Sequence, residues 1–147
     1  MTGGFDLGEI ILENGDVQAL DLPHILSVRG QLMEENGGLD SPVIWIDGAN
    51  SFNPYRVSRI SRGLDEDPEK ILKNIHISRA FTCYQMSSLV IEKLEDALKK
   101  WGARLVVVTG LASIDPYPTT WGIGPDVSPL VAYFRRLAFC ASNSFAA

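Results

Sequence analysis

Short, β-rich apolar runs alternate with longer helical patterns along this chain, and that alternation predicts β-α-β units around a parallel sheet. The runs are Glu9-Ile10-Ile11-Leu12-Glu13, Val43-Ile44-Trp45-Ile46-Asp47, Asn74-Ile75-His76-Ile77-Ser78 and Arg104-Leu105-Val106-Val107-Val108-Thr109. Each is nearly continuous in β-branched residues, so each reads as a strand buried on both faces, and about four parallel strands are expected. Leu22 to Glu34 reads as the first crossover helix, stopped by Gly37-Gly38. Pro54 to Leu64 reads as a short helix, and a second begins near Asp67-Pro68-Glu69, with proline in the first turn and acidic residues at the positive end of its dipole. Tyr84 to Trp101 carries one apolar stripe of Met86, Leu89, Val90, Leu94, Ala97, Leu98 and Trp101, with Glu92 and Asp96 opposite it and Gly102 as the stop. Asp115 to Pro129 holds four prolines and two glycines and reads as an extended loop. Pro129 then opens a last helix to about Cys140.

The 147 residues suit one domain, 1–147, and a net charge of −5 argues against binding nucleic acid or a membrane surface by bulk charge. No apolar run reaches the roughly 18 residues of a membrane span, and Met1 to Asp6 lacks the features of a signal peptide, so a cytoplasmic protein is expected. Cys83 and Cys140 have no metal-ligand or Cys-x-x-Cys spacing and read as buried free thiols. His24 and His76 belong to different elements and read as ordinary surface or half-buried histidines rather than metal ligands.

Two separated motifs carry a family resemblance. Val43 to Ile60, VIWIDGANSFNPYRVSRI, and Asp67 to Phe81, DPEKILKNIHISRAF, resemble in order and spacing the second core strand and the following strand of the RecA/RadA-type recombinases, the archaeal and eukaryotic branch in particular. Gly3-Gly4, Gly8-Glu9-Ile10, the Glu34 to Leu39 loop and Arg104 to Ile114 resemble further parts of that family. The resemblance implies a three-layer, RecA-like fold of the P-loop NTPase type with a mainly parallel sheet. It also implies a further strand just after Asn143, where this sequence stops, so the expected form is a core shortened at its C-terminal side, with a sheet edge that another chain would cover.

The same resemblance shows which chemical groups are missing. A phosphate loop needs G-x-x-x-x-G-K-[ST], whereas Glu13 to Leu22 has no Lys, no second Gly and no Ser or Thr. Three carboxylates, Glu13, Asp16 and Asp21, would instead repel a triphosphate. Ala49 stands at the place of the family's water-orienting glutamate, and Thr109 at that of its magnesium-associated aspartate. No catalytic, cofactor-binding or metal-binding residue and no cofactor is therefore expected. Asp47, Asn50 and Ser51 read as turn chemistry, with the donors of the 48–51 turn serving Asp47. Arg79 reads as a packed, paired arginine beside the sheet.

The function implied is that of a catalytically inactive paralogue acting as an interaction or regulatory partner in DNA recombination and repair. Its expected partner is protein, either itself as an oligomer or a related recombinase-type ATPase. One alternative is a single-stranded DNA-binding accessory protein, with Arg56, Arg59 and Arg62 spaced along one helical face, Tyr117 and Trp121 for stacking, and Arg135 and Arg136 beyond. The other is an ATP-binding, recombinase-type ATPase with an atypical site.

Overall fold

The computed structural model describes residues 21–110, which lie within one compact unit, 14–115. The expected strand at Glu9 to Glu13, the segment from Glu13 to Leu20, the proline-rich loop, the last helix and the thiols of Cys83 and Cys140 lie outside what is described.

Three parallel strands form the sheet among the described residues: β1 (Val43–Asp47), β2 (Ile75–Arg79) and β3 (Leu105–Thr109), in the order β2-β1-β3. Only β1 is buried along its whole length. It is the central strand, and the run Val-Ile-Trp-Ile suits a position covered on both faces. β2 is buried at Ile75 but exposed at Ile77 and Arg79. Among the described residues it pairs on one side only, so the expectation of double-sided burial does not hold for it. Arg79, expected to be packed and paired, is exposed at its end.

The helices cover both faces. On one face α1 (Leu22–Arg29), α2 (Pro54–Gly63) and α3 (Pro68–Lys73) enclose a core of Val28, Val43, Trp45, Val57, Ile71, Ile75 and Val107. On the other lies a long helix made of α4 (Cys83–Ser88), a π turn over Leu89–Lys93, and α5 (Leu94–Trp101), tied to β2 by the stack of Trp101 on His76; its Met86, Val90 and Leu94 are buried, as are Ile44 and Ile46 of β1. The arrangement is a three-layer α/β fold.

Local chemistry sets the helix ends. Asn53 caps α2 by accepting from the Tyr55 and Arg56 amides, Asp67 caps α3, and Thr82 caps α4 through the Gln85 amide. Pro54 and Pro68 occupy the first turns, where a missing N–H costs nothing. α1 ends at Arg29, well before Gly37-Gly38. Gln31 donates its side-chain amide to the Ser27 carbonyl, the acceptor its own backbone N–H would use in a longer helix, while that N–H turns to Val28. Gly30 also packs so closely that a β-carbon would lie 2.8 Å from Leu105. The chain therefore leaves the helix, makes a short 3-10 turn at Glu34–Asn36, and only then uses Gly37 at φ 75°.

Trp101, expected on the inner stripe, is 43% exposed and lies over β2 instead, its ring stacked on His76 at 3.7 Å. Lys100 sits over the same indole. Burial, with the Lys100 charge adding to it, holds the His76 pKa below its ordinary value of 6.5. The unfolded chain then binds this proton more readily than the folded one, so the contribution is complete above pH 6.5 and declines as the pH falls toward the lower folded value. Thermal unfolding followed between pH 7.5 and 5 should show this decline, and His76→Phe, which keeps the stack, should remove that part of it.

Candidate functional site

The polar groups of the sheet gather at the carboxyl ends of β1 and β3. Asp47 and Thr109 are register partners on adjacent parallel strands. Asp47 is 1% exposed, and a buried carboxylate needs donors to stay ionised. Its Oδ1 accepts from the Ser51 amide at 2.9 Å, the Thr109 hydroxyl at 2.9 Å and the Ser51 hydroxyl at 3.3 Å; its Oδ2 accepts from the Phe52 amide at 3.1 Å. The Ser51 hydroxyl also lies 3.1 Å from that of Thr109. Burial pushes the Asp47 pKa up, but the Ser51 and Phe52 amides and the two hydroxyls together outweigh it and hold the carboxyl below its ordinary range.

The backbone makes this convergence possible. Gly48 donates to the Thr109 carbonyl at 2.9 Å, and Ala80 donates to that of Asp47 at 3.1 Å, so all three strand ends are tied. Gly110 has φ 75°, and a β-carbon on it would lie 2.4 Å from the Ala49 nitrogen. No other residue fits there without moving the 48–49 turn. Asn50 adopts φ 51°, a conformation its side chain tolerates better than most. Ala49 is exposed and presents only a methyl group.

Beneath the turn, His24 is fully buried, contrary to the surface or half-buried position expected of it. Its Nε2 accepts from the Asn53 amide at 3.0 Å, and its ring packs against Trp45 and Phe52 at 4.9 and 6.0 Å between centroids. An accepting Nε2 carries no proton, so His24 is a neutral packing residue that holds the start of α2. The sequence gives no sign of this role, because Asn53 lies 29 positions away.

The three arginines of α2 differ in their surroundings. Arg56 is paired with Asp21 across the start of α1, leaving Arg59 and Arg62 exposed. Asp21, read as a repulsive carboxylate toward phosphate, has its charge met by that guanidinium. Tyr117, Trp121, Arg135 and Arg136 lie outside the described residues. Among those described, no group of three or more His, Cys, Asp or Glu is placed to hold a metal ion, and no helix is long and apolar enough to cross a membrane.

A parallel sheet between two helical layers, with its polar groups collected at the carboxyl ends of the strands, makes this a three-layer α/β domain, consistent with a RecA-like fold. The family model for Rad51 matches residues 1–120, and the chain belongs to the Rad51 family. That membership gives it a recombinase-related role in recombination and repair.

Proposed function

We propose that this chain is a catalytically inactive member of its family that works as a protein-interaction or regulatory partner in recombination and repair, engaging a related recombinase-type ATPase or a second copy of itself. The observation that carries the reading is the β2 edge. Among the described residues β2 leaves one row of backbone groups without a neighbouring strand, and Ile77, Phe81 and Tyr84 along and just beyond it are 41%, 71% and 56% exposed. An exposed strand edge flanked by apolar side chains is a template for strand addition by another chain. The missing phosphate-loop lysine, Ala49 and Thr109 support the inactive part of the reading, since none of them supplies the charge or base that phosphoryl transfer needs. The pairing of Arg56 with Asp21 removes one cation from the face that a DNA-binding role would use.

The test is co-purification of the wild-type chain and of Ile77→Lys and Phe81→Ala variants with a related recombinase-type ATPase, alongside light scattering for self-association. Both variants should lower capture or self-association at least about tenfold, as loss of a central apolar contact does. Their unfolding midpoints should stay within about 2 °C of wild type, because both sites are exposed. No association by the wild-type chain in either assay, or association that ignores both substitutions, refutes the reading.

A further inference from the structure

The Rad51 family implies a magnesium-bound nucleotide at the carboxyl ends of these strands, and the residues present there do not fit the cation. A hard divalent ion takes oxygen ligands with free lone pairs, and magnesium holds them in near-octahedral geometry at about 2.0–2.1 Å. Two carboxylate oxygens offer about four acceptor positions; Asp47 Oδ1 is crowded by three donors, the Ser51 amide and the Ser51 and Thr109 hydroxyls, and Oδ2 accepts from the Phe52 amide, so a single carboxylate has at most one position left for a cation. Two of those donors are on backbone that cannot turn away, because the Ser51 and Phe52 amides lie in the turn fixed by Gly48 and by the tight Gly110 contact. Among the described residues, the side-chain oxygens bonded to Asp47 are the hydroxyls of Ser51 and Thr109, which are neutral and already face the carboxylate.

We propose that Asp47, Ser51 and Thr109 form a hydrogen-bonded clasp that joins β1 to β3 without a divalent cation, and that a single carboxylate at position 109 converts this clasp into a cation site. Thr109 Oγ1 lies 2.9 Å from Asp47 Oδ1, and the register between the two strands holds position 109 beside Asp47. A carboxylate introduced there places two like charges in contact. Such a pair must either keep a proton or take up a cation between its oxygens. Threonine supplies the neutral solution, since its hydroxyl donates where a second carboxylate would repel. The inference rests on the inert half of the proposed function and not on the β2 edge, so the two fail separately: cation binding by the wild-type chain would overturn the clasp and leave the partner assay untouched.

The test compares wild type, Thr109→Asp and Thr109→Asn by thermal unfolding at neutral pH, in EDTA and with Mg2+ added. In EDTA, Thr109→Asp should melt about 5 °C below wild type. About 10 mM Mg2+ should return at least half of that loss by binding the folded state, while wild type and Thr109→Asn should shift by less than about 1 °C. A folded Thr109→Asp protein as indifferent to Mg2+ as Thr109→Asn would overturn the proposal. A second measurement stands whether or not Thr109→Asp folds. Mn2+ added to isotope-labelled wild-type protein should leave the amide signals of Gly48, Ser51 and Gly110 no broader than those of the remote Gly63, and selective broadening at the three would show that the clasp takes a cation.

Discussion

Replacing Asp47 with alanine should lower the midpoint of thermal unfolding by about 10 °C. The carboxylate accepts from two backbone amides and two hydroxyls while only 1% exposed. The hydroxyls of Ser51 and Thr109 are 3.1 Å apart and can satisfy one another once it is gone. The Ser51 and Phe52 amides cannot, and each buried donor left without an acceptor costs about 1–3 kcal/mol. The total, about 3 kcal/mol, corresponds to roughly 10 °C at about 2–4 °C per kcal/mol for a chain of this size. Asp47→Asn separates the two sides of the carboxyl: an oxygen can still serve Ser51 and Thr109, but the amide nitrogen then faces the Phe52 N–H donor to donor. It should lose about half as much. The same carboxyl gives acid sensitivity with a definite sign. Its folded pKa lies below the ordinary 3.8, so its contribution is complete above that value and is lost as the pH falls through the folded pKa. The alanine variant should lack this part of the acid transition. An alanine variant that melts with wild type would mean that the donors find water, and that the clasp does not hold the strand ends.

Particular residues show how far the sequence carried this architecture. β1 is legible because a central strand needs only one property, apolar side chains on both faces, and Val43 to Ile46 supply it without interruption. β2 already differs in sequence, because His76, Ser78 and Arg79 interrupt its apolar residues, but the exposure of Ile77 follows from tertiary context: among the described residues β2 pairs with β1 alone, which no local pattern encodes. α2 and α3 begin where Pro54 and Pro68 predict, since a proline in the first turn is a signal confined to that turn. α1 is shorter than its apolar spacing implies because Gln31 competes for Ser27 and also reaches Ile71, 40 positions away. The site divides in the same manner. That the 48–51 turn serves Asp47 is readable from adjacent residues. Thr109 reads from the sequence only as a lost metal ligand, and its positive role as a donor to Asp47 depends on a pairing 62 positions apart. The pairing of Arg56 on α2 is illegible for the same reason, because its partner comes from 35 positions upstream.

Trp45 should prove the costliest single side chain to remove, and the contrast between two substitutions explains why. It is fully buried at the centre of β1, edge-on to Phe52 at 5.0 Å and tilted against His24. Trp45→Ala should cost about 3–5 kcal/mol in urea unfolding, the range for deleting a large aromatic from a packed core. Trp45→Phe leaves a smaller cavity and should cost less, about half as much. The indole nitrogen is the reason for the difference. Trp45 Nε1 is buried with no hydrogen-bond partner, so tryptophan already carries a desolvation penalty of about 1–3 kcal/mol that phenylalanine lacks. Part of the lost contact is thereby offset. Trp45 also supports the clasp indirectly, because Phe52 packs on its ring while the Phe52 amide donates to Asp47, and His24, packed on the same ring, holds the Asn53 cap of α2. Trp45→Ala combined with Asp47→Ala should therefore cost less than the sum of the two single losses, since both release the same segment. Strict additivity would separate the aromatic core from the strand-end site, and a Trp45→Phe loss as large as that of Trp45→Ala would show that the indole N–H is satisfied after all.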